Sequence, residues 1–231
     1  MNRKALKRTF LDTVPVMTGY LFLGVGFGIL LSEQTGHGPG WAFCMALFMF
    51  AGSAQYLAVG LIATHASLLS TAIATLLLNA RHIFYGISLL ERYKDAGKRK
   101  PYLIFALTDE TYSLVTQNEP PEGMTRNQYS FLVSLFDHIY WIVGCTLGGL
   151  AGTVLPISFE GVEFVLTALF VTLFVEQWLT HKNHLPAIIG TASTLLCLVL
   201  LGKDVFLVPS MVLIALLLTV SQKTGRRQED A

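Results

Sequence analysis

The chain has 231 residues, of which 53% are hydrophobic and only 13% are charged, with a formal net charge of +1. Soluble domains carry about 25% charged residues, so this composition excludes an ordinary soluble protein and indicates an integral membrane protein. The near-zero charge gives no reason to expect a nucleic-acid partner. We predict one all-α, polytopic integral membrane helical bundle over residues 1–231, embedded in a lipid bilayer, with about six to eight apolar segments.

The first apolar segment covers residues 14–31 and follows a basic N-terminus. No clean cleavage site closes it, so we interpret it as a retained span and not as a cleaved signal peptide. Three glycines at alternate positions lie inside it, without the strand and helix context of a dinucleotide site. We expect them to allow close helix packing or a bend.

The second segment, residues 41–62, is interrupted by the small residues 51–54, which precede Gln55. Such a stretch can unwind a helix or let a neighbouring backbone approach closely. Gln55 is the polar side chain at this interruption, and we regard it as a candidate site residue. Close helix packing without a functional role explains the same residues equally well.

The third segment, residues 68–90, contains the most unusual polar residues of the chain. An arginine near the centre of a spanning helix costs roughly 2.5–3.5 kcal/mol on insertion scales, and such residues usually face a polar cavity and have a partner. We therefore predict a substrate-binding or coupling site here, and residues 79–82 are a candidate break in the helix. Its candidate residues are Asn79, Arg81, His82 and Tyr85.

Residues 102–116 are apolar at first and then carry Asp109, Glu110 and Tyr112. This stretch is too short and too charged for a standard span, so we predict a broken or tilted crossing buried within the protein. Asp109 could pair with Arg81, bind the amine of a substrate or relay a proton. The alternative is that both acids lie at the membrane interface and are solvated.

Basic residues predict the orientation of the chain. The N-terminal tail and the loop 91–100 are both rich in lysine and arginine, so both should be cytoplasmic. Residues 118–126 fit an external loop. Simple crossings would put loop 91–100 outside, so the chain must cross an odd number of times between residues 41 and 90. A re-entrant turn at residues 52–55 or 79–82 would satisfy this requirement.

A weak internal similarity relates residues 10–91 to residues 128–221, with Gly26 matching Gly148. If it is a true repeat, one crossing at 102–116 would invert the second half, as in many transporters. Four further apolar segments lie in this half. They cover residues 129–150, 162–179, 185–201 and 205–220.

Asp137 and His138 lie together inside the segment 129–150 and could form a proton-relay pair, or a polar patch near the helix start. A metal site built from Asp109, His82, Asp137 and His138 would require these residues to converge in space. No metalloprotease motif, nucleophile elbow or phosphate-binding loop occurs. We therefore expect no catalytic residues, no metal and no cofactor.

Three stretches together resemble the AzlC-like branched-chain amino acid permeases, the large subunit of a two-component exporter. They are the Gly-Ser-Ala-Gln sequence at 52–55, the Asn-Ala-Arg-His-Ile-Phe-Tyr-Gly sequence at 79–86 and the Leu-Thr-Asp-Glu-Thr-Tyr sequence at 107–112. Their order and spacing and the chain length all fit. The C-terminal third is similar mainly in hydropathy.

The resemblance implies export of branched-chain amino acids from the bacterial inner membrane, together with a small AzlD-like membrane subunit. An amino acid needs a cation for its carboxylate and an acceptor for its ammonium group. Arg81 could serve the first, and Asp109 or Glu110 the second. Two other classes remain open, namely a channel or carrier for another small solute and a non-transporting accessory subunit.

Overall fold

A computed structural model describes residues 3–79, 81–154 and 184–202 continuously, and separate residues within 164–179 and 206–221. Helices are the only regular secondary structure in this described part of the chain. Residues Met1–Leu166 form one compact unit and Thr167–Ala231 a second, and a single transport domain remains a prediction. The α-helices are α1 (Arg3–Thr35), α2 (Pro39–Met49), α3 (Gly52–Ala63), α4 (Leu68–Asn79), α5 (Arg81–Leu89), α6 (Lys100–Phe105), α7 (Asp109–Gln117), α8 (Arg126–Val154) and α9 (Leu185–Leu201).

Two of these helices, α1 and α8, are long and apolar enough to cross a membrane. They contain 33 and 29 residues, and a helix rises about 1.5 Å per residue, so each exceeds the roughly 30 Å of a bilayer's hydrocarbon core. The predicted spans at 14–31 and 129–150 lie inside them. Four shorter helices of the same unit, α2, α3, α6 and α7, pack against this pair, which confirms the helical membrane architecture at this level of detail.

Helices α1 and α8 lie side by side and run in the same direction. Towards their starts the hydroxyls of Thr13 and Tyr140 are 3.0 Å apart. Towards their ends the Ser32 hydroxyl donates to the Gly149 carbonyl at 3.2 Å. Both helices therefore start at one end of the unit, which we call the basic end, and both finish at the opposite end, which we call the far end.

Glycines allow this close contact. A Cβ atom added at Gly24 would lie 2.8 Å from the backbone nitrogen of Cys145, and one added at Gly144 would lie 2.9 Å from the Tyr20 carbonyl oxygen. Gly28 and Gly148 meet backbone atoms even more closely. Each helix thus presents two glycines four residues apart, a spacing that brings membrane helices together. The expected packing role is confirmed for Gly24 and Gly28 of α1.

Helix α2 enters from the far end. Its Ala42 lies against Gly149 of α8, and one turn later the Ala46 carbonyl lies 3.2 Å from Nε2 of His138. The helix stops at Met49, because Phe50 adopts a positive φ of 25°. The predicted interruption is real, but it lies at Phe50 and the following residue, and the small residues 52–54 form the first turn of α3.

Helix α3 returns to the far end. Its first residue, Gly52, lies against the Trp141 ring, whereas its Tyr56 hydroxyl donates to the Leu23 carbonyl at 2.7 Å. Trp141 packs beside Tyr20, so α3 progresses along α1 towards its C-terminus. Helices α2 and α3 therefore form a hairpin that enters the unit and leaves at the same end.

Helices α4 and α5 cover the predicted segment 68–90 and connect the two ends of the unit. Helix α4 follows α3 at the far end. The last described turn of α5 contains Leu89, which packs in one cluster with Ala5 and Met124 at the basic end. Ala80 lies outside the described residues, so the predicted break at 79–82 stays a prediction. A course from the far end to the basic end agrees with the odd crossing predicted for this part of the chain, and the crossing itself stays a prediction.

Helices α6 and α7 form a second hairpin, which enters from the basic end. The Arg99 guanidinium lies 5.4 Å from the Phe131 ring centre, and the hydroxyl of Tyr102 lies 3.1 Å from Nδ1 of His138, so α6 runs inward. Helix α7 runs back, since the Arg92 guanidinium in the basic loop donates to the Val115 carbonyl at 2.8 Å. That cation also faces the negative end of the helix.

Two expectations are therefore corrected. The stretch 102–116 is broken, as predicted, but it returns to the side from which it came and does not cross. Residues 118–126 consequently lie at the basic end together with loop 91–100 and are not on the opposite side. The N-terminal tail lies at that end as well, since the Thr9 hydroxyl contacts the sulfur of Met124 at 3.6 Å.

The parallel course of α1 and α8 also argues against an inverted repeat in the predicted register. Matching segments of an inverted pair would have to run in opposite directions. Of the second half, α9 coincides with the predicted segment 185–201. More than half of 162–179 and several residues of 205–220 lie outside the described residues, so the number of spans stays a prediction.

Candidate functional site

The tips of the two hairpins meet at Tyr20 of α1. The Tyr20 ring packs edge to face on Phe50 at 6.3 Å and on Trp141 at 5.4 Å, both between ring centres. Its hydroxyl lies 2.7 Å from Oγ1 of Thr108, the last residue before α7. Backbone that is not helical is tolerated at membrane depth only inside protein or beside a cavity. This meeting point is the candidate site.

Helix α7 starts here because Thr108 caps it. Thr108 has an extended backbone, and its Oγ1 accepts a hydrogen bond from the backbone nitrogen of Thr111 at 3.2 Å. Two acids, Asp109 and Glu110, occupy the first turn, where the helix dipole stabilises negative charge. The sequence thus encodes both the start of the helix and the placement of its carboxylates.

A continuous chain of hydrogen bonds crosses the site from α1 to α8. The Tyr20 hydroxyl lies 2.8 Å from Oε2 of Glu110 and contacts Thr108 on its other side. Thr108 donates to the Thr111 hydroxyl at 3.0 Å, which donates to Oδ2 of Asp137 at 2.8 Å. Asp137 is fully buried. Two acids predicted separately from the sequence are therefore connected through three hydroxyl groups.

Gln55 enters the site from α3. It is fully buried, and its Oε1 accepts a hydrogen bond from Nε1 of Trp141. Its Nε2 has no hydrogen-bond partner in the described part of the chain. The start of α3 has no side-chain cap, because Ala51 precedes it. The first turns of α3 and α7 thus both lie next to Tyr20, and their N–H groups point towards the site.

Helix α5 lies parallel to α7. The Tyr85 and Tyr112 rings stack with centres 4.7 Å apart, and the Ser88 hydroxyl donates to that of Tyr112 at 3.0 Å. Asp109 lies one turn before Tyr112 on the same face of α7, and Arg81 begins α5 one turn before Tyr85. The two helix starts are therefore neighbours. The Arg81 side chain lies outside the described residues.

Asn79 and His82 lie close together at the junction of α4 and α5, where Nδ1 of His82 lies 3.2 Å from the Asn79 carbonyl. Oδ1 of Asn79 is buried without a hydrogen-bond partner among the described residues. His82 also lines a cavity of about 140 Å³, together with Lys100 and mainly apolar side chains. The cavity is large enough for a few water molecules.

Asp137 and His138, the predicted relay pair, contact different elements. Asp137 accepts from Thr111 of α7. His138 lies under the Phe50 ring at 4.4 Å, with Nε2 donating to the Ala46 carbonyl and Nδ1 beside the Tyr102 hydroxyl. Neighbouring residues of a helix point about 100° apart, which explains the separation. A relay role for each remains a prediction.

Sequence reasoning missed the connecting residues. Tyr20, Thr111 and Trp141 are ordinary components of apolar helices, and only their positions beside buried acids and Gln55 mark them. Thr108 could have been found, because a threonine directly before an acidic helix start is a typical N-cap. Among the described residues, no three potential ligands from histidine, cysteine, aspartate and glutamate cluster as a metal site.

Comparison with known proteins gives a consistent picture. The family model described as AzlC protein matches residues 15–155. A Bacillus subtilis protein named branched-chain amino acid transport protein AzlC is 36% identical over 97% of this chain and 88% of its own length. An uncharacterized membrane protein of Haemophilus influenzae is 42% identical over 94% of this chain and 89% of its own length.

A more distant relative, the inner membrane protein YgaZ of Escherichia coli, is 24% identical over 87% of this chain and 82% of its own length. No solved structure matches the chain significantly. The similarity to relatives that are named as membrane proteins extends through the C-terminal third, which lies beyond the family model.

Proposed function

The chain belongs to the AzlC family, and on that premise we propose that it exports branched-chain amino acids across the bacterial inner membrane. The B. subtilis relative, named as a branched-chain amino acid transport protein, supports the class of substrate. The resemblance also implies a small AzlD-like membrane subunit as the partner. Basic residues at the shared end of the N-terminus and loop 91–100 support a cytoplasmic N-terminus.

The observation that carries the proposal is the convergence of helix starts around an acidic first turn. Asp109 is the proposed acceptor for the substrate ammonium group, because it lies on the face of α7 that is turned towards α5. Glu110 is already engaged with Tyr20. The substrate carboxylate would bind at Arg81 and at the uncapped start of α3, where helix dipoles favour an anion.

Specificity for the aliphatic side chain is proposed to be broad. Tyr85 and Phe84, on α5 beside the proposed carboxylate site, are the candidates for an apolar wall. One methylene group in such a pocket changes binding by only about 1–3 kcal/mol. We therefore expect valine, leucine, isoleucine and methionine to share the site and to compete with one another.

Export needs an energy source, and we propose the proton gradient. Glu110, Asp109 and His82 are titratable groups in or next to the two hairpins and α5. Collapse of the pH gradient and the membrane potential should therefore slow efflux. Efflux that is unaffected by both would contradict proton coupling.

The test is efflux of preloaded labelled leucine from cells that carry the chain with its small partner. We expect faster efflux than in cells without the chain, and at least a tenfold lower rate with Asp109→Asn, since loss of a buried charged hydrogen bond costs about 1.5–3 kcal/mol. Asp95→Asn, an identical change in the exposed basic loop, is the matched control and should keep the full rate.

The outcomes separate the competing functions. Efflux that survives in Asp109→Asn at equal membrane abundance would contradict the assigned site. If no amino acid leaves the cells faster under any pairing, the chain carries another solute or serves as an accessory subunit. A loss of accumulated protein in Arg81→Ala, without a transport defect per molecule, would favour the accessory role.

A further inference from the structure

We propose that Glu110 and Asp137 share a single proton through the hydroxyls of Tyr20, Thr108 and Thr111, and that its transfer between the two carboxyls couples proton movement to transport. The coupling rests on the proposed function, whereas the shared proton does not. These five groups are connected by four contacts of 2.7–3.0 Å across α1, α7 and α8.

A count of hydrogens supports the shared proton. Four contacts need four hydrogens, and the hydroxyls of Tyr20, Thr108 and Thr111 supply only three. If both carboxyls were ionised, Tyr20 would donate to Glu110 and Thr108 to Thr111, and the 2.7 Å contact between Tyr20 and Thr108 would contain no hydrogen. One proton on either carboxyl completes the chain.

The electrostatics lead to the same conclusion. In the described part of the chain, no lysine or arginine pairs with Glu110 or Asp137. Two carboxylates on one network, without a cation among the described side chains, would repel each other and would each carry a desolvation cost. A single shared proton leaves one negative charge on the network and places a hydrogen in each of its four contacts.

Other titratable groups near the hydrogen-bonded network from Glu110 to Asp137 contact residues outside that network. On α6 the Tyr102 hydroxyl contacts His138, whose other nitrogen faces the Ala46 carbonyl. On α8 the Tyr140 hydroxyl contacts Thr13. Asp109 lies on the face of α7 turned towards α5. The shared proton therefore has a defined route between two carboxyls.

The transfer balances at every atom. With the proton on Glu110, each group donates to the next, from Glu110 through Tyr20, Thr108 and Thr111 to the Asp137 carboxylate. Each hydroxyl then passes its own hydrogen forward and receives one from behind. The O–H bond of Glu110 breaks, an O–H bond forms on Asp137, and the total charge stays at −1.

Infrared spectroscopy of the purified full-length chain tests the shared proton. The wild type should show the carbonyl stretch of one buried, protonated carboxylic acid, shifted in D₂O. Both Glu110→Gln and Asp137→Asn should lose this band, because an amide N–H₂ supplies the missing hydrogen and the remaining carboxyl ionises. Asp12→Asn, outside the network, should keep the band. Absence of the band in the wild type, or its survival in either amide variant, would overturn the proposal.

Thr111→Val tests the coupling, because it removes one hydroxyl and conserves side-chain shape. In vesicles with leucine on both sides, leucine exchange should continue, whereas efflux driven by a pH gradient should fall to its rate without a gradient. Thr13→Val, a buried match in α1, should behave as the wild type. Undiminished gradient-driven efflux in Thr111→Val would overturn the coupling step.

A wild type that moves no leucine would overturn the proposed substrate and the coupling, while the infrared result decides the shared proton.

Discussion

At the scale of single residues, Gly28 is the position where the parallel packing of α1 and α8 is most sensitive. An alanine there would push a methyl group into the backbone of Cys145 and Gly149. Backbone cannot give way as a flexible side chain can, so we expect Gly28→Ala to lower the stability by at least about 1–3 kcal/mol. The loss should appear as a lower melting temperature in detergent.

Gly19→Ala in the same helix is the control for this prediction. A Cβ atom at Gly19 meets nothing within 4 Å, and alanine has a higher helix propensity than glycine by about 1 kcal/mol. Its melting temperature should be unchanged or slightly higher. Equal effects of the two substitutions would show that α1 and α8 are not in contact at Gly28.

The sequence identified the buried acids and the amide of the site, but not the hydroxyl groups that are hydrogen-bonded to them. Gln55, Glu110 and Asp137 stand out because polar side chains are costly in apolar helices. Tyr20 and Thr111 do not, since hydroxyls are common in membrane helices and can bond to their own backbone. Their role depends on which helices are neighbours, and a single sequence does not specify that.

At the scale of helices, the two hairpins make a testable prediction about which loops share a side. In a chain whose three cysteines are replaced by alanine, single cysteines at Lys98 and Glu122 should react with a membrane-impermeant reagent from the same side. A cysteine at Ser67, at the opposite end of the unit, should react only from the other side. All three positions are exposed.

The alternative topology makes the opposite prediction for one of these sites. If residues 100–117 crossed the membrane, the cysteine at position 122 would react together with that at 67 and not with that at 98. Reaction of position 122 from the same side as position 98 would support the returning hairpin of α6 and α7.

Local sequence patterns predicted that the helices break, but not the direction of the chain after each break. The charged and apolar halves of 102–116 predicted a break, and Thr108 provides it. The direction after the break depends on contacts such as Arg92 with Val115, which local sequence does not determine. In the second segment, the small residues 51–54 predicted a break that starts one position too late, because Phe50 supplies the turn while Gly52 provides room for Trp141.

At the scale of the whole molecule, two hairpins enter from opposite ends and place their tips against the same residue, Tyr20. Each tip supplies a helix N-terminus, α7 adds acids, and α5 begins alongside. The broken backbone at these tips is packed on α1 and α8. For the proposed export of a small zwitterion, this arrangement favours a carrier with a defined binding site over an open channel.

The most direct measurement is leucine efflux from vesicles that contain only the purified chain and its small partner. The proposal predicts saturable efflux that valine and isoleucine inhibit and that a pH gradient accelerates. Asp109→Asn should lower its rate at least tenfold, and Asp95→Asn should leave the rate unchanged. Vesicles that retain leucine as well as protein-free vesicles do, or that release it equally with Asp109→Asn, would contradict the assignment of the hairpin tips as an amino acid export site.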